Sequence, residues 1–268
     1  MFDLEHGSRM VKESHSTPLN TPGGKPQMPN DLPGDNFERN LVTVGGNRIT
    51  SSAELPTGVT MKFMPRSVGN RVEIAPNQKV SNVTVDLGSA RGCTVQLGQL
   101  RVPFGGLRVS FVANNGRIST GSEVTVGDGC TFNGSTHIVG ALSDGIAVRI
   151  GRDCLFASGI TVRGSSHHGL WDLDSGALLN PETGIDIGDH VWLGADVIVL
   201  NKSAIPSGSV VAARSVINRP FGDENVLLAG SPAAVRRSRI AWTHDFPVDN
   251  GVSGRDPEAA WESGHHGR

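Results

Sequence analysis

Ile187-Gly-Asp-His-Val-Trp192, Leu193-Gly-Ala-Asp-Val-Ile198, Val199-Leu-Asn-Lys-Ser-Ala204, Ile205-Pro-Ser-Gly-Ser-Val210 and Val211-Ala-Ala-Arg-Ser-Val216 follow one another without a break, and Ile217-Asn218 opens the next unit. An aliphatic residue starts each six. A small or β-branched residue (Val191, Val197, Ser203, Ser209, Ser215) stands four places later. Side chains of a strand alternate between faces, so a six-residue repeat keeps its openers on one face when each unit is a short strand plus a tight turn. A helix would show a period near 3.6, which is absent. Strand-turn units cannot bury their apolar faces alone and must stack coil on coil. The expected architecture is an all-β parallel β-helix.

Outward from this stretch the same period recurs. Val126, Phe132 and Ile138 are spaced by six, and Ile150, Phe156 and Val162 resume in phase. Asp144 takes the intervening opener slot, so that turn is expected to be distorted or to lie outside the core. Ile187 falls out of phase with Val162 because residues 163–184 intervene, a polar stretch containing Ser165-Ser-His-His-Gly-Leu-Trp-Asp172 and Asn180. A polar loop thrown from a rigid scaffold is where binding and catalysis tend to be found. Upstream, Val68, Ile74 and Val80 keep a trace of the period, and alternating strands run through Val83–Leu87 and Leu107–Phe111.

The expected organisation is an extended or disordered arm over 1–37 and a β-rich region over 38–117 forming early solenoid coils. The regular solenoid covers 118–221, with the insertion at 163–184. Ser231-Pro232 reads as an N-cap followed by proline at the first helical position, which predicts a short C-terminal α-helix within 222–242. A flexible tail over 243–268 follows.

Gly 35 and Pro 15 against 5% aromatic residues suit a turn-dense solenoid. A net charge of -2 gives no basic field for nucleic acid. No apolar run of the ~18 residues needed to span a membrane is present, and the N-terminus lacks an apolar signal core; a cytoplasmic protein is expected. Three cysteines, Cys93, Cys130 and Cys154, are too few for a disulfide framework. Cys130 and Cys154 occupy the fifth hexad position, a slot for small inward side chains.

His167 and His168 are the candidates for chemistry, since a histidine near neutral pKa suits the activation of a hydroxyl or amine. The hexads, the His-His loop, the Ile187–Gly194 segment and Ala229-Gly-Ser-Pro-Ala-Ala-Val235 together resemble the hexapeptide-repeat acyltransferases. The loop is most similar to that of bacterial polysaccharide and sialic-acid O-acetyltransferases, roughly Ser-Asp-x-His-x-Ile-aromatic-Asp. The resemblance covers about residues 118–242 and alone implies a left-handed winding, against the usual right-handed β crossover.

It also implies acetyl-coenzyme A as acyl donor and a sugar hydroxyl, in a polysaccharide or its precursor, as acceptor. His168 becomes the general base of a direct transfer. Ser166 replaces the acidic residue two before the histidine, which leaves Asp172 or a backbone carbonyl to orient the imidazole. Trp192, at the outward sixth position of its hexad, lines the cleft in the resembled enzymes. Ala195 and Ala213 fall where small residues admit the pantetheine. Arg236 and Arg237 fall where cations meet the coenzyme's phosphates. Asn180, with His167, lies at the acceptor pocket. A homotrimer with sites between subunits is implied as well. Three other readings remain: N-acetylation of an amino sugar, a γ-type carbonic anhydrase, and a non-catalytic solenoid. His137, His167, His168 and His190 lack the zinc-ligand spacing of the carbonic anhydrase, so no metal ligand set is assigned.

Overall fold

Each aliphatic opener pairs with the opener three hexads later: Ile187 with Ile205, Leu193 with Val211, Val199 with Ile217. Three strand-turn units therefore complete one coil of a parallel β-helix. The structure, a computed structural model, describes residues 41–44, 47–49, 55, 57–75, 79–114 and 116–244; the arm expected over 1–37 and the tail beyond His244 lie outside them. Strands visit three sheets in rotation. The first holds Arg71–Ile74, Thr94–Leu97, Glu123–Val126, Ala147–Ile150, Ile185–Ile187 and Ser203–Ile205. The second holds Lys79–Val80, Arg101–Val102, Thr131–Phe132, Leu155–Phe156, Trp192–Leu193, Val210–Val211 and Leu227–Gly230. The third runs from Val59–Phe63 through Val83–Gly88, Gly106–Ser110, Ser135–Val139, Ile160–Arg163 and Ile198–Leu200 to Val216–Ile217. The irregular strands up to Ser110 thus join the same sheets as the regular hexads, whereas Ala113–Asn114 pairs with Arg117–Ile118 in a separate two-stranded ribbon.

The core is the set of inward ladders. Phe132, Phe156, Leu193, Val211 and Leu228 form one from the second sheet, all fully buried, with Phe132 and Phe156 stacked at 4.6 Å between centroids. The fifth-position residues Val191, Val197, Ser203, Ser209 and Ser215 are buried as their size demands. The hydroxyls at this position are satisfied: Ser203 Oγ donates to Ile217 O at 3.1 Å, Ser209 Oγ accepts from Val226 N at 3.4 Å and Ser215 Oγ accepts from Gly230 N at 3.1 Å. Cys93, Cys130 and Cys154 are buried free thiols, and burial pushes Cys93 up to about 11, so it stays protonated and inert.

The fourth hexad position turns the corner in the left-handed backbone region. Gly129, Asp153, Gly159, His190, Asp196, Lys202, Gly208 and Arg214 all have φ between 53° and 79°. Glycine is the natural occupant, and the non-glycine residues found there project from the prism edges. Asp144, in its opener slot, is exposed in a turn outside the core.

One expectation is corrected. Residues 222–242 form no helix; Leu227–Gly230 and Ala233–Arg237 make an antiparallel hairpin at the edge of the second sheet. Gly230 has φ +114°, a value for glycine alone, and the Ser231–Pro232 peptide, which is cis, forms the two-residue turn. Ser-Pro is as good a turn signal as a helix start, and the ladder offered by Leu227–Gly230 decides between them. Among the described residues every regular element is a strand, and no helix is long and apolar enough to cross a membrane.

Candidate active site

The three prism edges carry different side chains. The insertion leaves the third sheet after Arg163 and rejoins the first at Ile185. Its tip is a short antiparallel excursion: Trp171 bridges Leu178, Asp172 N donates to Ala177 O at 2.9 Å, and Leu179 N donates to Leu170 O at 2.7 Å. Single polar side chains fix its base. Glu182 accepts from Leu142 N and Ser143 N at 3.0 and 2.7 Å. Asn201 accepts from Thr183 N and Gly184 N and donates to Pro181 O.

Asn180 holds the backbone on either side of Gly169. Asn180 Nδ2 donates to His168 O at 2.9 Å while its Oδ1 accepts from Leu170 N at 2.7 Å. The His168 ring is exposed, and among the described residues it makes no hydrogen bond. His167, at φ 65°, turns inward. Its N–H donates to Ser165 Oγ at 3.0 Å and its carbonyl accepts from Asn114 Nδ2 at 2.7 Å. Its Nε2 is sealed from solvent without a hydrogen-bond partner. Burial, then the charge of Arg163 and the neighbouring His168, hold its pKa below the usual 6.5, so the ring is neutral at neutral pH. Asp172 does not reach His168. It accepts from Ser175 N and Oγ at 2.7 and 2.6 Å, and the Ser175 hydroxyl, then its N–H, holds the carboxyl below its ordinary range. It shapes the loop tip.

A second group lies on the second sheet and on the edge joining it to the third. Trp192 faces outward, 39% exposed. Ala195 and Ala213 stack at successive corners, tied by Arg214 N donating to Ala195 O at 2.8 Å, and there is no room for bulk: a Cβ on Gly194 would come within 2.7 Å of Ala213 N. The hairpin turn reaches this edge, since Gly230 N bonds Ser215 Oγ. Arg236 and Arg237 are exposed on its second strand, and Arg236 Nε donates to Ala229 O at 3.1 Å. A groove of about 450 Å³ lined by Glu73, Gln96, Asp128 and Arg152 contains none of these residues.

Sequence reasoning missed a pair beneath the loop. Ser110 Oγ and His137 Nε2 are 2.7 Å apart on the outer face of the third sheet. Burial, then the charges of Arg108 and Arg163, lower the His137 pKa from 6.5. The signal was present: His137 occupies the same outward sixth position as Trp192. Val139 pairs with both Ser110 and Arg163 across the third sheet, so the Ser110–His137 pair lies beside the strand from which the insertion departs.

No protein-family model matches the chain. WbbJ of Escherichia coli (strain K12), whose name places it in lipopolysaccharide biosynthesis as an O-acetyl transferase, is 30% identical over 145 residues, covering 47% of this chain and 74% of WbbJ. The polysialic acid O-acetyltransferase of Neisseria meningitidis is 38% identical over 53 residues, only 25% of that protein. The galactoside O-acetyltransferase of Lactococcus lactis subsp. lactis (strain IL1403) is 33% identical over 128 residues, 56% of its length. Among solved structures, the polysialic acid O-acetyltransferase OatWY aligns with a TM-score of 0.50 over 78% of this chain and 92% of that one. At 22% identity that likeness concerns the fold.

Proposed function

As the chain belongs to the hexapeptide-repeat acyltransferases, we propose that it moves the acetyl group of acetyl-coenzyme A onto a saccharide hydroxyl, in a polysaccharide or its precursor, with His168 as general base. The observation that carries this reading is an exposed imidazole on a backbone pinned by Asn180, in the insertion of an otherwise closed prism. The O-acetyltransferase names of three relatives support the reaction class. A left-handed winding goes with the same reading.

His168 takes the proton of the acceptor hydroxyl as its oxygen attacks the thioester carbonyl. The resulting oxyanion needs a donor, a role suited to a backbone N–H. The C–S bond then breaks, and the imidazolium returns its proton to the departing thiolate. No enzyme nucleophile takes part. His167 and Asn180 border the acceptor, and Trp192 walls the cleft. The pantetheine lies along Ala195 and Ala213, with Arg236 and Arg237 toward the phosphates, where a guanidinium fork suits phosphate oxygens.

Trp192 lies on the second sheet, whereas His168 leaves the edge between the third and first. One prism presents them in different directions, so a common cleft calls for a neighbouring copy. The apolar loop tip, with Leu170, Trp171, Leu179 and a 98% exposed Leu173, also calls for cover. A homotrimer answers both needs. The test is acetyl-coenzyme A consumption with a panel of saccharide acceptors. His168→Ala is expected to lose turnover by about 10²–10⁴-fold at unchanged stability. Trimers assembled from mixed His168→Ala and Trp192→Ala chains are expected to recover part of it. Equal turnover in wild type and His168→Ala would move the base to His167, and no recovery on mixing would place each site within one chain.

A further inference from the structure

Asp153 and His190 occupy the left-handed fourth position on successive coils, at the edge between the first and second sheets, with φ of 55° and 53°. His190 N donates to Arg152 O at 2.7 Å, which stacks one corner directly on the other. The two side chains therefore leave the prism side by side, one strand spacing apart. His244, from the segment after the hairpin, closes over both. Asp153 Oδ2 is 2.7 Å from His190 Nδ1, Asp153 Oδ1 is 3.2 Å from His244 Nε2, and all three ligand atoms lie within 4.8 Å of one another.

We propose that Asp153, His190 and His244 form a binding site for a divalent transition-metal ion, zinc by the chemistry of its ligands. The argument starts from the two nitrogens of His190. Nε2 stands 3.1 Å from Trp242 O, so that carbonyl can hold an N–H on Nε2 and leave the Nδ1 lone pair toward Asp153 Oδ2, 2.7 Å away. In that tautomer a cation belongs between the two facing acceptors, and a proton or a metal ion can supply it. An imidazole whose far N–H is held by a backbone carbonyl is the usual state of a metal-bound histidine, since that bond sets its tautomer and orientation.

The ring is also held still. His190 is 6% exposed and stacked on the Trp242 indole at 4.0 Å and 16°. The indole N–H donates to His190 O at 2.9 Å. His244 stands edge-on to the same indole at 4.9 Å. Two imidazoles and one carboxylate suit zinc and its neighbours, and they leave a coordination position for water. Ligand atoms around a tetrahedral zinc are ~3.3 Å apart for bonds near 2.0–2.1 Å. The Asp153–His244 separation meets that value, and the exposed Asp153 carboxylate reaches it at His190 by a small rotation. The ion would tie the end of the described chain to the prism beside Trp192, whose ring lies 5.9 Å from Trp242.

The test is zinc titration of the chelator-stripped full chain by calorimetry, with cobalt as a spectroscopic substitute and the thermal midpoint measured alongside. The expected result is a single bound ion that raises the midpoint, as a ligand of the native state must. Asp153→Asn and His244→Ala change exposed side chains, so both fold; each is expected to weaken zinc binding by at least about ten-fold and to abolish the rise. His265 and His266 offer a rival site near the chain's end, so the His265→Ala/His266→Ala double variant is expected to bind as wild type does. Absence of zinc binding at micromolar free metal would overturn the proposal and leave a proton as the cation at His190. So would binding that is lost with His265 and His266 but survives Asp153→Asn.

Discussion

The hexads from Ile187 to Val216 and the insertion over 164–184 adjoin in sequence, yet different physics holds them. In the hexads every opener is buried and repeats the role of the one three units before it. Burial of apolar area holds that wall, and neighbouring coils share the load. In the insertion the large apolar side chains Leu170, Trp171, Leu173 and Leu179 face solvent. Its path depends on individual amides and carboxylates, namely Asn114, Asp172, Asn180, Glu182 and Asn201. Stability should therefore be lost by changing the wall, and chemistry by changing the clamps.

The largest stability effect expected from this difference is Phe156→Ala. The ring is fully buried and stacked on Phe132, so its removal should cost about 3–5 kcal/mol, read from denaturant unfolding. Acetyl transfer per folded molecule should hold. A loss under about 1 kcal/mol would mean that the coils collapse over the cavity, and that the wall is less rigid than its ladders imply.

Asn180→Ala makes the converse case. It removes the two hydrogen bonds that fix the backbone on either side of Gly169. Each is exposed and contributes at most about 1 kcal/mol, so the unfolding midpoint should barely move. Turnover should fall roughly 10–100-fold, because a displacement of about 1 Å is enough to misalign a base. Unchanged turnover together with a lowered midpoint would reverse the assignment and make Asn180 part of the scaffold.

The same division decides what could be read from the sequence. The solenoid was legible because its cause repeats: an opener that must be buried recurs every six residues, so each unit tests the reading of the last. The closing hairpin was not. Ser231-Pro232 suits a helix start and a turn alike, and only the free edge beside Leu227–Gly230 selects the strand. His168 and Asn180 were legible as members of a loop motif, but the hold of the Asn180 side chain on the His168 carbonyl was not. The engagement of Asp172 with Ser175 depends on a three-residue turn that motif alignment does not see. Ser110–His137 and Asp153–His190 depend on coil-to-coil register, which spans the irregular insertions. Their sequence signal exists only in hexad positions, sixth for His137 and fourth for the other two.

The smallest effect tests whether wall and loop unfold together. His137 lies on the wall and His167 in the loop, and burial lowers both pKa values from 6.5 in the folded state. As pH falls below about 6.5 the unfolded chain takes up protons that these two rings still refuse, so stability declines with acidification; above that pH they contribute no slope. His137→Gln keeps a hydrogen-bonding group for Ser110 and removes the titration, so it should flatten the pH dependence of global unfolding. His167→Gln should flatten it less, because a segment held by isolated polar contacts can open before the solenoid does. Its pH dependence should appear instead in hydrogen exchange of residues 164–184, which in wild type should quicken below neutral pH beyond the intrinsic rate. Equal flattening by the two variants, with no separate exchange response, would make the loop one cooperative unit with the wall, and the clamps would then contribute to the stability of the whole prism.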